Sequence, residues 1–275
     1  MNELWMAAGA AAWGAASISG LQPFLDDTAK AKIEVLCPGA RTVLAAAFPY
    51  YAGDRPGNLA LYSRGEDYHR VLARRLGAVC SALRERHPDH TFVPGADSSP
   101  VPELAAAQLA GVGRPGRHGL CIVPPYVSYV FLGTVLTDLE VPATGPSQGS
   151  PCPPDCDACL RACPTGALSE NGCDVSVCLS EVTQRKGDLT EAEAAHIKKS
   201  PTIWGCDLCQ RACPLNRAAA LSPLPEFREN LLDSLTLADL EGLSSKAFRR
   251  MYSDRAFAWR GIGPLVRNLR LKEDV

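Results

Sequence analysis

The chain has 275 residues, a formal net charge of −2 and twelve cysteines. With 46% hydrophobic and 21% charged residues, it has the composition of a globular protein, which excludes a largely disordered chain and a globally basic nucleic-acid binder. A chain of this length can bury a sizeable core without disulfides. The cysteines are therefore interpreted as metal ligands, nucleophiles or buried apolar side chains.

The first twenty residues are apolar but lack the positive segment that opens an export signal, since Glu3 is the only charge before Asp26. No stretch of the sequence reaches the roughly 18 uninterrupted apolar residues that a membrane span needs. The sequence therefore predicts a cytoplasmic protein without a membrane partner.

The N-terminal half predicts helices and strands in alternation. Residues 4–12 are predicted to be helical and residues 15–19 to form a strand, and the apolar run TVLAAAF at 42–48 predicts a buried strand. Residues 67–86 predict a long amphipathic helix, because apolar side chains recur at helical spacing and arginines lie mostly on the other face. Three further elements are predicted: a strand over 90–93, a helix over 102–109 capped by Ser98 or Ser99, and a strand over 127–136.

A segment rich in proline, glycine and serine over 142–154 predicts a domain boundary. Beyond it, nine of the twelve cysteines lie between Cys152 and Cys213. The last 60 residues are predicted to be helical, and eight lysines or arginines against Asp254 alone make residues 246–272 a basic tail. We expect three units, over residues 1–145, 146–220 and 221–275.

Two related motifs, CDACLRACP and CDLCQRACP, begin at Cys156 and Cys206. Each has the Cys-x2-Cys-x3-Cys-Pro spacing of a bacterial ferredoxin with two 4Fe-4S clusters, in which the cysteine before proline ligates the other cluster. The spacing therefore predicts two clusters that exchange one ligand each. The predicted ligands are Cys152, Cys156, Cys159 and Cys213 for cluster one, and Cys163, Cys178, Cys206 and Cys209 for cluster two.

Alternatives remain for two ligands and for the metal. Cys152 stands one residue further from Cys156 than the ferredoxin spacing requires. Cys173 competes with Cys178, which we prefer because it opens a plausible helix, whereas Cys173 follows a turn signal. Two Cys-x2-Cys pairs can also hold a zinc ion, although two complete sets of four ligands favour iron-sulfur clusters. The other cysteines are interpreted as buried apolar side chains: Cys37, Cys80 and Cys121.

Several segments occur in an order that resembles the epoxyqueuosine reductase family. They are LYSRGEDYHRVLARRL (61–76), ADSSPVPELAAAQLAGVG (96–113), SYVFLGTVLTDLEVP (128–142), and the cysteine segments CDACLRACPTGAL, CLSEVTQRKG and WGCDLCQRACPLN. The resemblance covers about residues 30–270 and is carried by the combination of motifs, since ferredoxins alone lack this order.

The resemblance implies an α+β protein with three parts: a nitroreductase-like cobalamin-binding domain, a bacterial-ferredoxin-like module with two 4Fe-4S clusters, and a short helical C-terminus. It implies an oxidoreductase that converts epoxyqueuosine to queuosine at the anticodon wobble position, the last step of tRNA queuosine synthesis. Cobalamin in the Co(I) state would be the reductant, fed through the clusters by an external low-potential donor such as ferredoxin or flavodoxin.

The family's proton donor corresponds to Asp97, which from the residues alone is better interpreted as a helix N-cap. Burial against the corrin is expected to raise the pKa of Asp97 so that it can donate a proton. His69 is expected to be a structural residue at a helix start, with a cobalt ligand as the alternative. The cobalamin contacts that the resemblance implies are Ala60, Asp97, Cys121, Val123 and Leu132.

In the family, the anticodon stem-loop meets the cluster module near the positions of Gln184, Arg185 and Lys186, and the basic tail is a further candidate for phosphate contacts. The chain departs from the family pattern in its loop GRPGRH at 113–118, which usually reads Gly-Trp-Ile-Gly-Lys-Asn, and in Thr134, which replaces a common Glu. It also resembles the short form that lacks a C-terminal helical-repeat domain. These departures leave two alternatives: a corrinoid and iron-sulfur reductase of another substrate, similar to a reductive dehalogenase, or a non-catalytic electron-transfer protein.

Overall fold

The structure, a computed structural model, describes residues 1–170 and 172–273. The strands of this part are β1 (Ala12–Ser17), β2 (Thr42–Pro49), β3 (Phe92–Gly95), β4 (Arg114–Pro115), β5 (Cys121–Ile122), β6 (Val130–Thr137), β7 (Leu168–Ser169) and β8 (Gly172–Cys173). The main sheet is antiparallel with the order β1-β2-β6-β3, and β4 with β5 and β7 with β8 form small ribbons.

The α-helices of the described residues are α1 (Asn2–Ala7), α2 (Ile18–Leu21), α3 (Asp27–Leu36), α4 (Tyr68–Arg86), α5 (Glu103–Leu109), α6 (Ala158–Ala162), α7 (Leu179–Gln184), α8 (Glu191–Lys199), α9 (Leu208–Ala212), α10 (Leu237–Leu240), α11 (Ser245–Tyr252) and α12 (Ile262–Glu273). The protein thus has a mixed helix and sheet fold, as the sequence predicts. In this part of the chain, no helix combines the length and apolar character needed to cross a bilayer.

The central elements agree with the sequence prediction, and the differences have local causes. Helix α4 begins after Asp67, whose side chain accepts the His69 N–H at 3.0 Å. The first strand starts at Ala12 instead of residue 15, because Ala12 already pairs with Ala47 of β2. The serine cap predicted for α5 is wrong: Pro102 occupies the cap position, and no side chain accepts a hydrogen bond there.

Helices cover both faces of the main sheet. On one face, Leu72 and Leu76 of α4 pack with Phe48 of β2. Gly133 of β6 permits this approach, since a Cβ there would lie 3.0 Å from Leu76 Cδ1. On the other face, α5 packs its alanines against the alanines of β2. The sheet therefore has an apolar core on each side.

A third apolar cluster joins distant parts of the chain. Leu59 bridges to Trp204 of the cysteine segment, and both pack with Phe248, Phe257 and Leu265 of the C-terminal helices. The three predicted units therefore share buried surface, and their boundaries at 145 and 220 stay predictions.

Candidate active site

The repeated cysteine motifs fold into two short helices, α6 and α9, which pack against each other. Cys163 follows α6 and Cys213 follows α9, and both have extended backbone angles. Proline comes next in each case and disfavours a helical conformation of the residue before it. Each final cysteine of a motif is thereby turned out of its own helix.

The thiols proposed for cluster two surround one cavity. Cys163, Cys178, Cys206 and Cys209 all line a cavity of about 300 Å³. Burial raises the pKa of Cys206 and of Cys209 to about 12, and the neighbouring charge of Cys178 contributes to both shifts. Thiolates crowded in this way are stabilised by positive charge, so this donor set fits an iron-sulfur cluster.

The thiols proposed for cluster one are also brought together. Burial raises the pKa of Cys159, and the charges of Cys152 and Cys213 add to that shift. Cys156 stands three residues before Cys159 in the chain, and the Arg117 N–H donates to Cys152 Sγ at 3.4 Å. Across the described residues, no three His, Cys, Asp or Glu side chains are arranged to hold a single metal ion.

Cys173, the sequence alternative to Cys178, lies in β8 and lines the same cavity. Its side chain is exposed, and its pKa is raised by desolvation and by the adjacent Cys178. Cys178 immediately precedes α7, and it is the thiol whose charge acts on both Cys206 and Cys209. This arrangement favours Cys178 as the ligand.

The rest of the cavity wall comes mainly from the N-terminal half of the chain. It includes Val130 and Phe131 at the start of β6, together with Tyr50, Tyr62 and Leu120. Phe131 stacks on Tyr68 with ring centroids 4.3 Å apart. A largely apolar wall with a few polar groups is typical of cofactor sites. No pattern in the sequence points to these residues, since they come together only through the tertiary fold.

None of the five residues that the resemblance assigns to cobalamin lines this cavity. They are Ala60, Asp97, Cys121, Val123 and Leu132. Cys121 and Val123 belong to the core beneath α5, with Leu132 packed against it. A Cβ on Gly113 would lie 2.5 Å from Cys121 Sγ. The Cys121 thiol thus packs against protein here, and the role of these residues stays a prediction.

Asp97 lies beside the cavity wall in an unusual backbone conformation, with φ of 60°. Its carboxylate accepts hydrogen bonds from Tyr68 Oη at 2.9 Å and His69 Nε2 at 3.0 Å, and its side chain is 60% exposed. The expectation of a raised pKa is wrong for this arrangement. The hydrogen bond from His69, assisted by that from Tyr68, lowers the pKa of Asp97 despite partial burial.

His69 links two carboxylates. Nδ1 lies 2.8 Å from Asp67 Oδ1 and Nε2 lies 3.0 Å from Asp97 Oδ2. The hydrogen bonds with Asp67 and Asp97 raise the pKa of His69 to about 9. His69 is therefore protonated at neutral pH and holds a proton directly against Asp97, a role that its position at a helix start did not indicate.

Glu103 adds a second carboxyl group to this loop. Its Oε1 accepts the backbone N–H of Asp97 at 2.6 Å, and burial raises the pKa of Glu103 to about 7. It therefore helps to hold the Asp97 backbone in its left-handed conformation.

A buried polar network joins α9 to the sheet. Gln210 Nε2 donates to the Ser128 carbonyl at 3.0 Å and lies 3.1 Å from Tyr50 Oη. Asn216 Nδ2 donates to Ser128 Oγ at 2.7 Å and to the Gln210 carbonyl at 2.8 Å. Because these amides are buried and paired, they fix the position of the second cysteine motif against the cavity wall.

The three residues predicted to contact tRNA differ in their environments. Gln184 Nε2 donates to Tyr62 Oη at 3.3 Å, which places it at the edge of the cavity. The Arg185 guanidinium is paired with Glu193, whereas Lys186 is exposed.

An exposed tryptophan adjoins Gln184. Trp259 Nε1 donates to Gln184 Oε1 at 3.1 Å, and the Arg260 guanidinium carbon lies 3.7 Å from the Trp259 ring centroid. The Trp259 side chain is 57% exposed. The sequence prediction did not include this exposed ring, although the Trp-Arg pair within the basic tail was a usable signal.

Comparison with family models gives two matches. The model for epoxyqueuosine reductase QueG matches residues 30–98, and the model for a 4Fe-4S double cluster binding domain matches residues 152–216. The second match contains all eight cysteines that the spacing predicts as ligands.

Curated relatives match most of the chain. Epoxyqueuosine reductases from Bacillus cereus and Listeria monocytogenes are 34% and 36% identical over 86% and 78% of this chain. The chain spans 64% and 56% of the lengths of these two relatives. The epoxyqueuosine reductase of Gloeobacter violaceus is 33% identical over 94% of this chain and 84% of its own length.

Solved structures share the fold. An epoxyqueuosine reductase in complex with a tRNA-Tyr epoxyqueuosine-modified stem loop has a TM-score of 0.83 and 27% identity, covering 98% of this chain and 80% of its own. One from Bacillus subtilis, with its catalytic aspartate loop swung out of the active site, has a TM-score of 0.81 and 26% identity at the same coverage. A catabolic reductive dehalogenase, 15% identical with a TM-score of 0.53 over 78% of this chain and 31% of its own, shares only the fold.

Proposed function

Because the chain belongs to the epoxyqueuosine reductase family, we propose that it reduces epoxyqueuosine to queuosine at the wobble position of a tRNA anticodon, in the cytoplasm. The observation that carries this proposal is the cavity between the second cysteine set and the Phe131 wall, with the Asp97–His69 pair beside it. Residues 1–145, which contain the main sheet and are called the sheet half below, would be the nitroreductase-like cobalamin domain.

The cysteines define the electron-carrying side. The first set, with Cys159 at its centre, would hold one 4Fe-4S cluster, and the four thiols of the cavity would hold the other. When bound, the clusters and cobalamin supply the electrons that open the epoxide. An external low-potential donor, a ferredoxin or flavodoxin, would reduce the clusters.

The sheet half supplies the proton. At neutral pH, His69 is protonated and Asp97 is ionised, so one proton is held between them. Asp97 would pass this proton to the departing epoxide oxygen, with His69 as its source. The exposed side chain and positive φ of Asp97 suit a loop that moves toward the substrate, and the swung-out loop of the Bacillus subtilis relative supports such a motion.

The substrate would approach along the surface beside Gln184. Lys186 is free to meet a phosphate there, and the exposed Trp259 ring offers a stacking surface for an unpaired base of the anticodon loop. Arg185 is committed to Glu193, so we assign it a supporting role in holding this segment.

The test is turnover of epoxyqueuosine-containing tRNA by the anaerobically reconstituted chain with cobalamin and a low-potential reductant. We expect about eight irons per chain, enough for two cubane clusters, and queuosine detected by mass spectrometry of the digested tRNA. A chain with eight irons and bound cobalamin that makes no queuosine would overturn the proposal. Turnover of a halogenated phenol in its place would favour a dehalogenase-like reductase.

A further inference from the structure

The turn between β4 and β5 contacts the cysteine segment at two points. The turn is closed by the Gly116 N–H, which donates to the Leu120 carbonyl at 2.9 Å. On one side, the Arg117 N–H donates to Cys152 Sγ of the first set. On the other, a Cβ on Gly119 would lie 3.9 Å from Cys173 Cβ, next to the second set. This turn thus lies where the sheet half meets both sets of thiols.

His118, at the centre of this turn, presents a donor without an acceptor. Its Nδ1 accepts the Leu120 N–H at 3.1 Å, which places the ring proton of the neutral imidazole on Nε2. His118 is 5% exposed, and Nε2 has no hydrogen-bond partner among the described residues. Burial lowers the pKa of His118 to about 4, so the ring is neutral at physiological pH. A buried N–H left unpaired costs about 1–3 kcal/mol.

The cavity that His118 borders is the one lined by Cys163, Cys178, Cys206 and Cys209. Sulfur atoms of an iron-sulfur cluster accept hydrogen bonds, and such bonds tune its reduction potential. The reduced cluster carries one more negative charge, so a donor stabilises it relative to the oxidised form.

We propose that His118 Nε2–H donates a hydrogen bond to a sulfur of the cluster held by these four cysteines and raises its reduction potential. This inference rests on the cluster assignment of the proposed function. The Arg117 N–H donates to Cys152 of the first set. One turn of the sheet half would therefore supply a hydrogen-bond donor to each of the two clusters. Electrons arriving from the first cluster would then be drawn toward the one held by these four cysteines.

Two variants isolate the donor. His118→Met and His118→Gln both lose the acceptor for the Leu120 N–H, but only glutamine keeps an N–H near the position of Nε2. The measurement is a redox titration of both clusters by electron paramagnetic resonance, on the full chain with iron reconstituted, first without and then with added cobalamin. Iron content and circular dichroism check that each variant is folded and loaded.

We expect His118→Met to lower the equilibrium constant for reducing the cluster of these four cysteines about tenfold. This corresponds to about 59 mV for a one-electron couple. His118→Gln should stay near the wild type, and the other cluster should not change. Unchanged potentials in a His118→Met chain with eight irons would overturn the proposal. A shift that appears only when cobalamin is added would also overturn it, by assigning the bond to the corrinoid. A wild-type chain with only about four irons would instead contradict the underlying cluster assignment.

Discussion

The sheet half and the cysteine segment are stabilised in different ways. The sheet carries an apolar cluster on each face, built from α4 on one side and α5 on the other. Within the described residues, the cluster confined to the cysteine segment and its neighbours has only Leu179, Val182 and Ile197 fully buried. The sheet can therefore fold by apolar burial, whereas the segment depends on metal ligation and on contacts with its surroundings.

Removing iron should separate the two regions most strongly. We expect chelation to abolish hydrogen-exchange protection over residues 152–216, while β2 and β6 keep theirs, because the sheet does not contain the ligands. Hydrogen exchange read by mass spectrometry on the full chain measures both regions at once. Equal loss of protection in the sheet would contradict this division.

Removing the proposed proton donor should damage only the sheet side of the site. Asp97→Asn keeps the shape of the side chain but cannot deliver a proton, so we expect turnover to fall about 10²–10⁴-fold. Iron content should not change. Asp138→Asn is the matched control, since Asp138 accepts the Thr91 N–H away from the cavity. Full turnover by Asp97→Asn would rule out the assignment.

Removing the exposed Trp259 ring should weaken RNA binding without changing the apolar core on either face of the sheet. A stacked base is worth about 1–3 kcal/mol, so we expect Trp259→Ala to raise the Kd for an anticodon stem-loop roughly 5- to 150-fold. Fluorescence anisotropy with a labelled stem-loop measures it. Phe24→Ala removes a similarly exposed aromatic ring from the sheet half and serves as control, with exposures of 54% for Phe24 and 57% for Trp259. Equal affinities of the two variants for the stem-loop would contradict the stacking of a base on Trp259.

The smallest expected effect is a pH dependence on the sheet side. Because the folded protein raises the pKa of His69 from 6.5 to about 9, its stabilising contribution is complete below about pH 6.5 and is lost as the pH rises through about 9. Turnover should fall over the same upper range as the stored proton is lost. Melting curves and kcat profiles from pH 6 to 10 should show both trends, and His69→Gln should remove them. A wild-type profile identical to that of His69→Gln would rule out His69 as the source of the proton.

Sequence reasoning succeeded where the information is local. The spacing of Cys206 and Cys209 brings these thiols to the same turn, and the apolar repeat of α4 determines its buried face. It failed where the property depends on partners distant in the chain. The pKa of Asp97 is set by Tyr68 and His69, and no local pattern relates them to it.

The same limit explains the missed cavity residues. Phe131 and Tyr62 lie in separate elements and line the same cavity only in the folded chain. His118 stands in a loop whose sequence gave no sign of an unpaired imidazole N–H. Spacing along the chain predicts the thiols, whereas the other residues of the cavity wall can be identified only from the tertiary structure.

The buried amide network between α9 and the sheet also has a consequence for the proposed electron delivery. Gln210 directly follows Cys209, and its side chain is locked onto Ser128 and Tyr50. The gap between that thiol and the cavity wall is therefore held constant by hydrogen bonds that exist before any substrate arrives. In the proposed electron transfer, a tunnelling path of constant length, framed by hydrogen-bonded dipoles, would keep the reorganisation energy small.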